Sequence, residues 1–266
     1  MTTLHEKETA LRRRLRALDS AAVAFSGGTD SALLLTIAHQ ELGDKAAALT
    51  ADSPVLSDRE RTQAAQFCQT HGIRHLVVPV WEDISESFLR NPPNRCYFCK
   101  RALMTRLKSA AEDLGCAVLM EGSNVDDLGD YRPGRRAVEE LKVLSPLLEA
   151  GLTKAEVRTL SRTLGLPTWN KPACACLASR FPYGSPITRE DLRRVEQAEA
   201  FLLDLGFGQL RVRVQGDTAR LELLPEEFQV LLSHREQVYG HFRALGFRYT
   251  TLDLLGYRTG SLNEAL

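Results

Sequence analysis

Four short apolar runs punctuate the first half of the chain: AAVAFS from Ala21, AAALTA from Ala46, HLVVPV from His75 and AVLMEG from Ala117. Each has the length and bounded apolar character of a strand, and the amphipathic segments between them, residues 30–42, 58–71 and 97–114, read as helices. Strands alternating with helices predict an α/β domain built on a parallel sheet with covering helices. The texture changes after Gly165. The stretch LPTWNKPACACLASRFPYGSPIT carries four prolines and no clean period, so it is expected to be a long functional loop at a domain boundary. Beyond it the pattern predicts a helix over 188–205, strands at QLRVRVQ and ARLELL, a helix over 225–245 and a last strand at YTTLDLL. The expected organisation is a large domain over 1–165, a loop or linker over 166–187 and a smaller C-terminal α+β domain over 188–266.

Length agrees with two unequal domains, since 266 residues exceed the roughly 150 of a single typical one. Charge narrows the partners. Lys plus Arg and Asp plus Glu number 34 each, so no excess positive charge holds a long polyanion through counterion release, and no nucleic-acid partner is expected. The N-terminal MTTLHEKETALRRRLRAL scatters charges where a signal peptide has an apolar core, and no apolar run reaches the roughly 18 residues of a membrane span. The expectation is a cytoplasmic protein with no membrane partner. In a reducing compartment its six cysteines do not make a disulfide scaffold, and a Cys-x-x-Cys pair reads as metal-binding or catalytic.

The candidate chemistry begins in AAVAFSGGTDSALLLTIAHQEL, where Ser26, Gly27, Gly28, Thr29, Asp30 and Ser31 join a buried strand to an apolar helix. Glycines let the backbone turn tightly and point N–H groups outward. The helix N-terminus adds partial positive charge, and the serine hydroxyls donate further hydrogen bonds to a phosphate. The lysine of a Walker A loop is missing, because G-x-x-x-x-G-K-[ST] is not matched here, and that absence weighs against simple γ-phosphoryl transfer. A lone Gly-Gly would read as a plain strand-to-helix turn with Ser or Asp as the cap. The whole hexapeptide, in its strand–turn–helix setting, resembles the SGGxDS signature of the PP-loop ATP pyrophosphatases, which include NAD and GMP synthetases, asparagine synthetase-like domains and tRNA thiolases. The resemblance implies that ATP is cleaved between its α- and β-phosphates. It assigns phosphate contacts to Gly27, Gly28 and Ser31, a supporting role to Ser26, and either helix capping or Mg²⁺ orientation to Asp30.

A second block, EGSNVDDLGDYRPGRRAVEELKVLSPL, follows the AVLM run. It gathers Asn124, Asp126, Asp127, Asp130 and Arg132 at a strand's C-terminal end, where open α/β sheets bind their ligands. A solvated turn is the plainer alternative. The block resembles the matching segment of PP-loop enzymes, which implies nucleotide contacts from Gly122, Asn124 and Asp127 and leaves open which acid meets Mg²⁺.

Cys96 and Cys99 lie in NPPNRCYFCKRALMTRL, where a Pro-rich loop runs into a helix whose N-terminus favours thiolate. Cys174 and Cys176 lie in the loop KPACACLASRFPYG. A structural zinc site from these four, or a redox pair, is the plain reading. Cys68 and Cys116 read as small buried apolar residues. Arg211 and Arg213 alternate along a strand and share a face, and Arg258 follows in GYRTGS. Solvation is the usual fate of such arginines. Glu199 and Glu222 read first as a solvated helix face and a strand-edge charge, with a divalent metal as the sharper option, and the histidines show no ligand spacing.

Taken together, SGGTDS, NRCYFCK, GSNVDDLGDYRPG, KPACACLASRFPYG, RVRVQGDTARLEL and DLLGYRTGS resemble the ATP-dependent sacrificial sulfur transferases of nickel-pincer nucleotide biosynthesis. The resemblance runs over nearly the whole chain. It implies adenylylation of a carboxylate of pyridinium-3,5-biscarboxylic acid mononucleotide, followed by thiocarboxylate formation for a lactate racemase-type cofactor. The family's sulfur-bearing cysteine is implied at Cys176. Members with that cysteine alone are implied to end as dehydroalanine. Members with three, here Cys96, Cys99 and Cys176, are implied to hold a [4Fe-4S] cluster with one iron open for an extra sulfide. Cys174 has no place in that scheme. The resemblance also implies ATP and Mg²⁺ as cofactors, substrate-phosphate contacts from Arg211, Arg213 and Arg258, and a homo-oligomer, specifically a hexamer. Three rivals stay open on the sequence: a PP-loop tRNA thiolase, which the neutral net charge disfavours; an amidotransferase synthetase, for which no N-terminal nucleophilic cysteine is present; and a nucleotide-binding module without turnover.

Overall fold

In the computed structural model, residues 2–129, 133–172 and 175–258 are described. They divide into two compact units, the first drawn from Met1–Phe88 and Asn94–Cys174, the second from Leu89–Pro93 and Ala175–Leu266. The division falls inside the Pro-rich loop, and the second unit also takes a five-residue piece from the first half of the chain.

The first unit runs α1 (Leu4–Arg16), β1 (Ala21–Ala24), α2 (Thr29–Leu42), β2 (Ala46–Asp52), α3 (Asp58–Thr70) and β3 (Arg74–Pro79). After α4 (Glu86–Leu89) it resumes with α5 (Arg95–Asp113), β4 (Val118–Met120), α6 (Gly134–Glu140), α7 (Pro146–Glu149) and α8 (Lys154–Thr163). The strands form one parallel sheet in the order β3-β2-β1-β4. Alternate residues point to opposite faces. Ala21, Val23, Ala46 and Ala48 therefore enter a core with Leu33, Leu34 and Ile37 of α2, whereas Ala22, Ala47 and Leu49 enter another with Met104 and Leu107 of α5. Small side chains along β1 and β2 let helices cover both faces closely. Two helices absent from the sequence expectation, α1 and α8, begin with capping boxes, Thr3 with Glu6 and Thr153 with Glu156, which satisfy their first backbone donors. Leu11 and Leu15 of α1, four apart, are both buried.

The second unit contains α9 (Arg189–Asp204), β5 (Arg211–Gln215), β6 (Thr218–Glu222), α10 (Phe228–Ser233), α11 (Arg235–Ala244) and β7 (Tyr249–Leu252). Its sheet has the order β5-β6-β7, antiparallel then parallel. Register places Arg211 opposite Glu222 and Arg213 opposite Arg220, so these charged side chains share one face, while Val212, Val214, Ala219 and Leu221 are buried. The helix expected over 225–245 is interrupted: a 3-10 turn at Pro225–Glu227 leads into α10, and the chain breaks again at His234 before α11. The His234 amide reaches the carbonyls of Val230 at 3.3 Å and Leu231 at 3.0 Å, a tightened last turn that ends α10. Among the described residues no helix is long and apolar enough to cross a membrane.

Candidate active site

The Gly-rich turn sits at the C-terminal end of β1, the central position of the parallel sheet beside β2 and β4. Phe25 is pinned by its amide to the Leu49 carbonyl at 2.8 Å, and Gly27 then adopts φ +69°, a left-handed value that glycine takes without strain. Gly28 is the N-cap of α2 and accepts the Ala32 amide at 2.9 Å. Asp30, one of the two sequence options for capping, is not the cap. It lies in the first helical turn, and its carboxylate takes the Asn124 amide at 3.0 Å and pairs with the Lys154 ammonium. The first-turn N–H groups of residues 29–31 have no intrahelical acceptor and form a cradle for an anion. Ser26 and Ser31 bring their hydroxyls within 3.2 Å of each other beside that cradle.

The second block packs directly on the first. A methyl group on Gly122 would lie 2.9 Å from the Ser31 amide nitrogen, so only glycine allows the strand end to approach this closely. Asn124 caps the 3-10 turn Val125–Leu128, donates its backbone amide to the Asp127 carboxylate at 2.9 Å, and donates its side-chain amide to Asp30. Lys154, at the start of α8, links the same cluster through its backbone to Asp126 at 2.6 Å. Gly122, Asn124 and Asp127 thus gather beside residues 26–31. Asp130 and Arg132 lie outside the described residues.

Two further side chains were not anticipated. Glu121, at the end of β4, is buried and accepts from Ser145 at 2.7 Å, the Ser123 amide at 3.1 Å and Lys100 at 3.4 Å. Burial pushes this carboxyl upward, but the Lys100 charge and the hydrogen bonds from Ser145 and Ser123 outweigh it and hold the group below the usual carboxylate range. Lys171 donates to the Gly27 carbonyl at 3.1 Å. Neither long-range contact has a local sequence signal.

Cys96 and Cys99 occupy the first turns of α5, three residues apart and so on one face, Cys96 exposed and Cys99 partly so. Gly134 of α6 packs over this turn, where an added methyl would stand 3.2 Å from the Cys96 carbonyl oxygen. Cys68 and Cys116 are buried as expected, and burial pushes the Cys68 thiol up to about 12, which keeps it protonated. Among the described residues no three metal-ligating side chains stand together. Cys174 lies outside the described residues.

In the second unit Cys176 is exposed and opens the 3-10 turn Leu177–Arg180. Its backbone is held from beneath. The buried Arg180 guanidinium forks onto Glu199 of α9, with both bonds at 2.8 Å, and also donates to the Ala175 carbonyl at 2.8 Å and the Cys176 carbonyl at 3.1 Å. Glu199 in turn accepts the Val212 amide of edge strand β5 at 2.8 Å. Arg213 forks onto Glu222 at 3.0 and 3.1 Å and reaches the Ser179 carbonyl. Glu199 and Glu222 are therefore not a solvated face and a strand-edge charge: both are buried and paired, and Glu222 is fully enclosed. Arg213 is buried with them. Arg211 and Arg258 are partly exposed. Arg211 lies over the Tyr257 ring at 5.0 Å, and Arg258 stands 3.8 Å from Asp253.

A parallel sheet whose central strand delivers an SGGTDS turn into a helix N-terminus, with a Gly-Ser-Asn segment packed on it from the next strand, defines an ATP-dependent enzyme of the PP-loop class. Residues 6–92 match the asparagine synthase family. The chain is 37% identical over 268 residues to pyridinium-3,5-bisthiocarboxylic acid mononucleotide synthase of Lactiplantibacillus plantarum, covering 100% of this chain and 97% of that protein. It is 46% identical over 268 residues, 99% of each chain, to an uncharacterized protein of Synechocystis. Similarity to the glutamine-hydrolysing GMP synthase of Chlamydia muridarum is weaker, 25% over 224 residues, 73% of this chain and 41% of that one. The chain belongs to the family of pyridinium-3,5-bisthiocarboxylic acid mononucleotide synthases.

Proposed function

We propose that this enzyme adenylylates a carboxylate of pyridinium-3,5-biscarboxylic acid mononucleotide and converts it to a thiocarboxylate for the nickel-pincer cofactor of lactate racemase. The observation that carries the reading is full-length similarity to a protein named for the bisthiocarboxylic product, joined to a phosphate cradle that has no Walker lysine. A substrate carboxylate oxygen attacks the α-phosphorus of ATP, the bond to the β-phosphate oxygen breaks, and pyrophosphate leaves. Sulfur then attacks the acyl carbon, and AMP departs with the carboxylate oxygen.

In this reading the amides of Gly27, Gly28 and Ser31 and the Ser26 and Ser31 hydroxyls hold the leaving pyrophosphate. Gly122 and Asn124 shape the cradle's floor, and Asp30 or Asp127 meets Mg²⁺. Arg211 and Arg258, partly exposed, hold the substrate phosphate. Arg213 borders the same sheet face while bracing Glu222. Cys96, Cys99 and Cys176 ligate a [4Fe-4S] cluster in this reading; what supports it is their thiol chemistry, with Cys96 and Cys99 three residues apart on one helix face and Cys176 exposed on a backbone held by Arg180. When bound, such a cluster would supply transferable sulfide. A reducing cytoplasm and a homo-hexameric assembly complete the proposal.

The cysteine assignment is tested by anaerobic reconstitution with iron and sulfide. Cys96→Ala, Cys99→Ala and Cys176→Ala are expected to lose iron and repeated turnover, whereas Cys68→Ala and Cys116→Ala retain both. A protein that binds only zinc, or Cys174→Ala as damaging as Cys176→Ala, contradicts the ligand set.

A further inference from the structure

We propose that Lys171 supplies the phosphate-directed positive charge that the loop itself lacks, acting as a positioning cation for the pyrophosphate half of ATP. The inference rests on residues 26–31 being the ATP cradle.

Three lysines from three different elements approach that region, and their partners distinguish them. Lys154 is paired with Asp30, and Lys100 stands against Glu121, so each of these charges is matched by a carboxylate. Lys171 is not. Among the described residues its ammonium donates to two neutral oxygens, the Gly27 carbonyl at 3.1 Å and the Gln63 side chain at 3.0 Å. An ammonium has three donors, so one is left over, and the charge is not compensated by either partner.

The backbone beneath Lys171 is tied to the same loop. Leu166 is buried in the core beside α2, and the Trp169 amide returns to the Leu166 carbonyl at 3.2 Å. The Thr168 carbonyl then accepts both the Thr29 hydroxyl at 2.8 Å and the Lys171 amide at 3.1 Å. Thr29 lies inside the SGGTDS turn. The lysine stem therefore starts from a point fixed to the cradle, and its ammonium ends on the cradle's own backbone. A cation held there, one hydrogen-bond length from the loop, meets the charge that builds on pyrophosphate as the α–β bond breaks. The exposed Gln63 contact is the partner a phosphate oxygen would replace.

The test is calorimetric titration of wild type, Lys171→Ala and Lys171→Arg with Mg²⁺ and three probes: α,β-methylene ATP, pyrophosphate and AMP. Lys171→Ala is expected to weaken the analogue and pyrophosphate about ten- to a hundredfold, the size of one charge-assisted hydrogen bond, while leaving AMP within about threefold. Lys171→Arg should recover most of that loss. Equal weakening of AMP and pyrophosphate would assign Lys171 to loop integrity and overturn the proposal, as would wild-type affinity for all three. Wild-type protein that binds none of the probes would instead overturn the ATP-cradle reading on which the proposal stands.

Discussion

Gly122→Ala is expected to weaken ATP binding by about ten- to a hundredfold while leaving the second unit intact. The added methyl would stand 2.9 Å from the Ser31 nitrogen and 3.1 and 3.2 Å from the adjoining backbone carbons, all main-chain atoms that cannot rotate away. Relief requires the start of α2 to shift, and that is where the first-turn amides are presented. Overpacking of this kind costs about 1–3 kcal/mol, and each 1.4 kcal/mol is a factor of ten in affinity. Gly240→Ala is the control, since its methyl meets nothing within 4 Å in the middle of α11. Titration with α,β-methylene ATP reads the difference. Wild-type affinity in Gly122→Ala would mean that the packing of β4 against the loop does not set the cradle.

Arg180→Met should be the most damaging single change in the second unit. It leaves the Glu199 carboxylate buried beside the Val212 amide without its cation, and it frees the carbonyls of Ala175 and Cys176 from their donor. Breaking one side of a buried pair costs about 3–5 kcal/mol, because the remaining charge is left desolvated. Hydrogen exchange at the Val212 amide reads this locally and should speed up by two orders of magnitude or more, at roughly 1.4 kcal/mol per factor of ten. Sulfur transfer should fall as well, because Cys176 loses its fixed backbone. Arg180→Lys keeps the charge but cannot make the fork, so it should recover only part of the protection. Exchange unchanged from wild type would show that the pair does not brace the turn.

The elements that were legible in the sequence are those with strong local patterns. The runs at Ala21, Ala46, His75 and Ala117 appear as the four parallel strands; those at Ala21, Ala46 and Ala117 are mostly buried, whereas the run at His75 is the edge strand β3 and leaves Leu76 and Val77 exposed. Cys68 and Cys116 are buried as isolated cysteines commonly are. Helices α1 and α8 were hidden by their many charges, although their capping boxes and the Leu11/Leu15 spacing are visible once sought. The break at His234 carries no Pro or Gly signal, so the 225–245 segment reads as continuous. Glu199 and Glu222 show the limit most clearly. A glutamate on a helix or strand reads as solvated, and only the folded chain brings Arg180 and Arg213 against them. Lys154 and Lys171 likewise meet the Gly-rich turn across 124 and 144 residues of sequence, which no local period encodes.

The central claim is that the SGGTDS turn directs cleavage between the α- and β-phosphates for carboxylate activation. It is tested most directly by incubating the enzyme with Mg²⁺ and ATP labelled at the α- and γ-phosphates, with and without pyridinium-3,5-biscarboxylic acid mononucleotide, and separating the products. AMP and pyrophosphate formed only when the mononucleotide is present is the predicted result; ADP with orthophosphate, or no substrate-dependent cleavage, would contradict it.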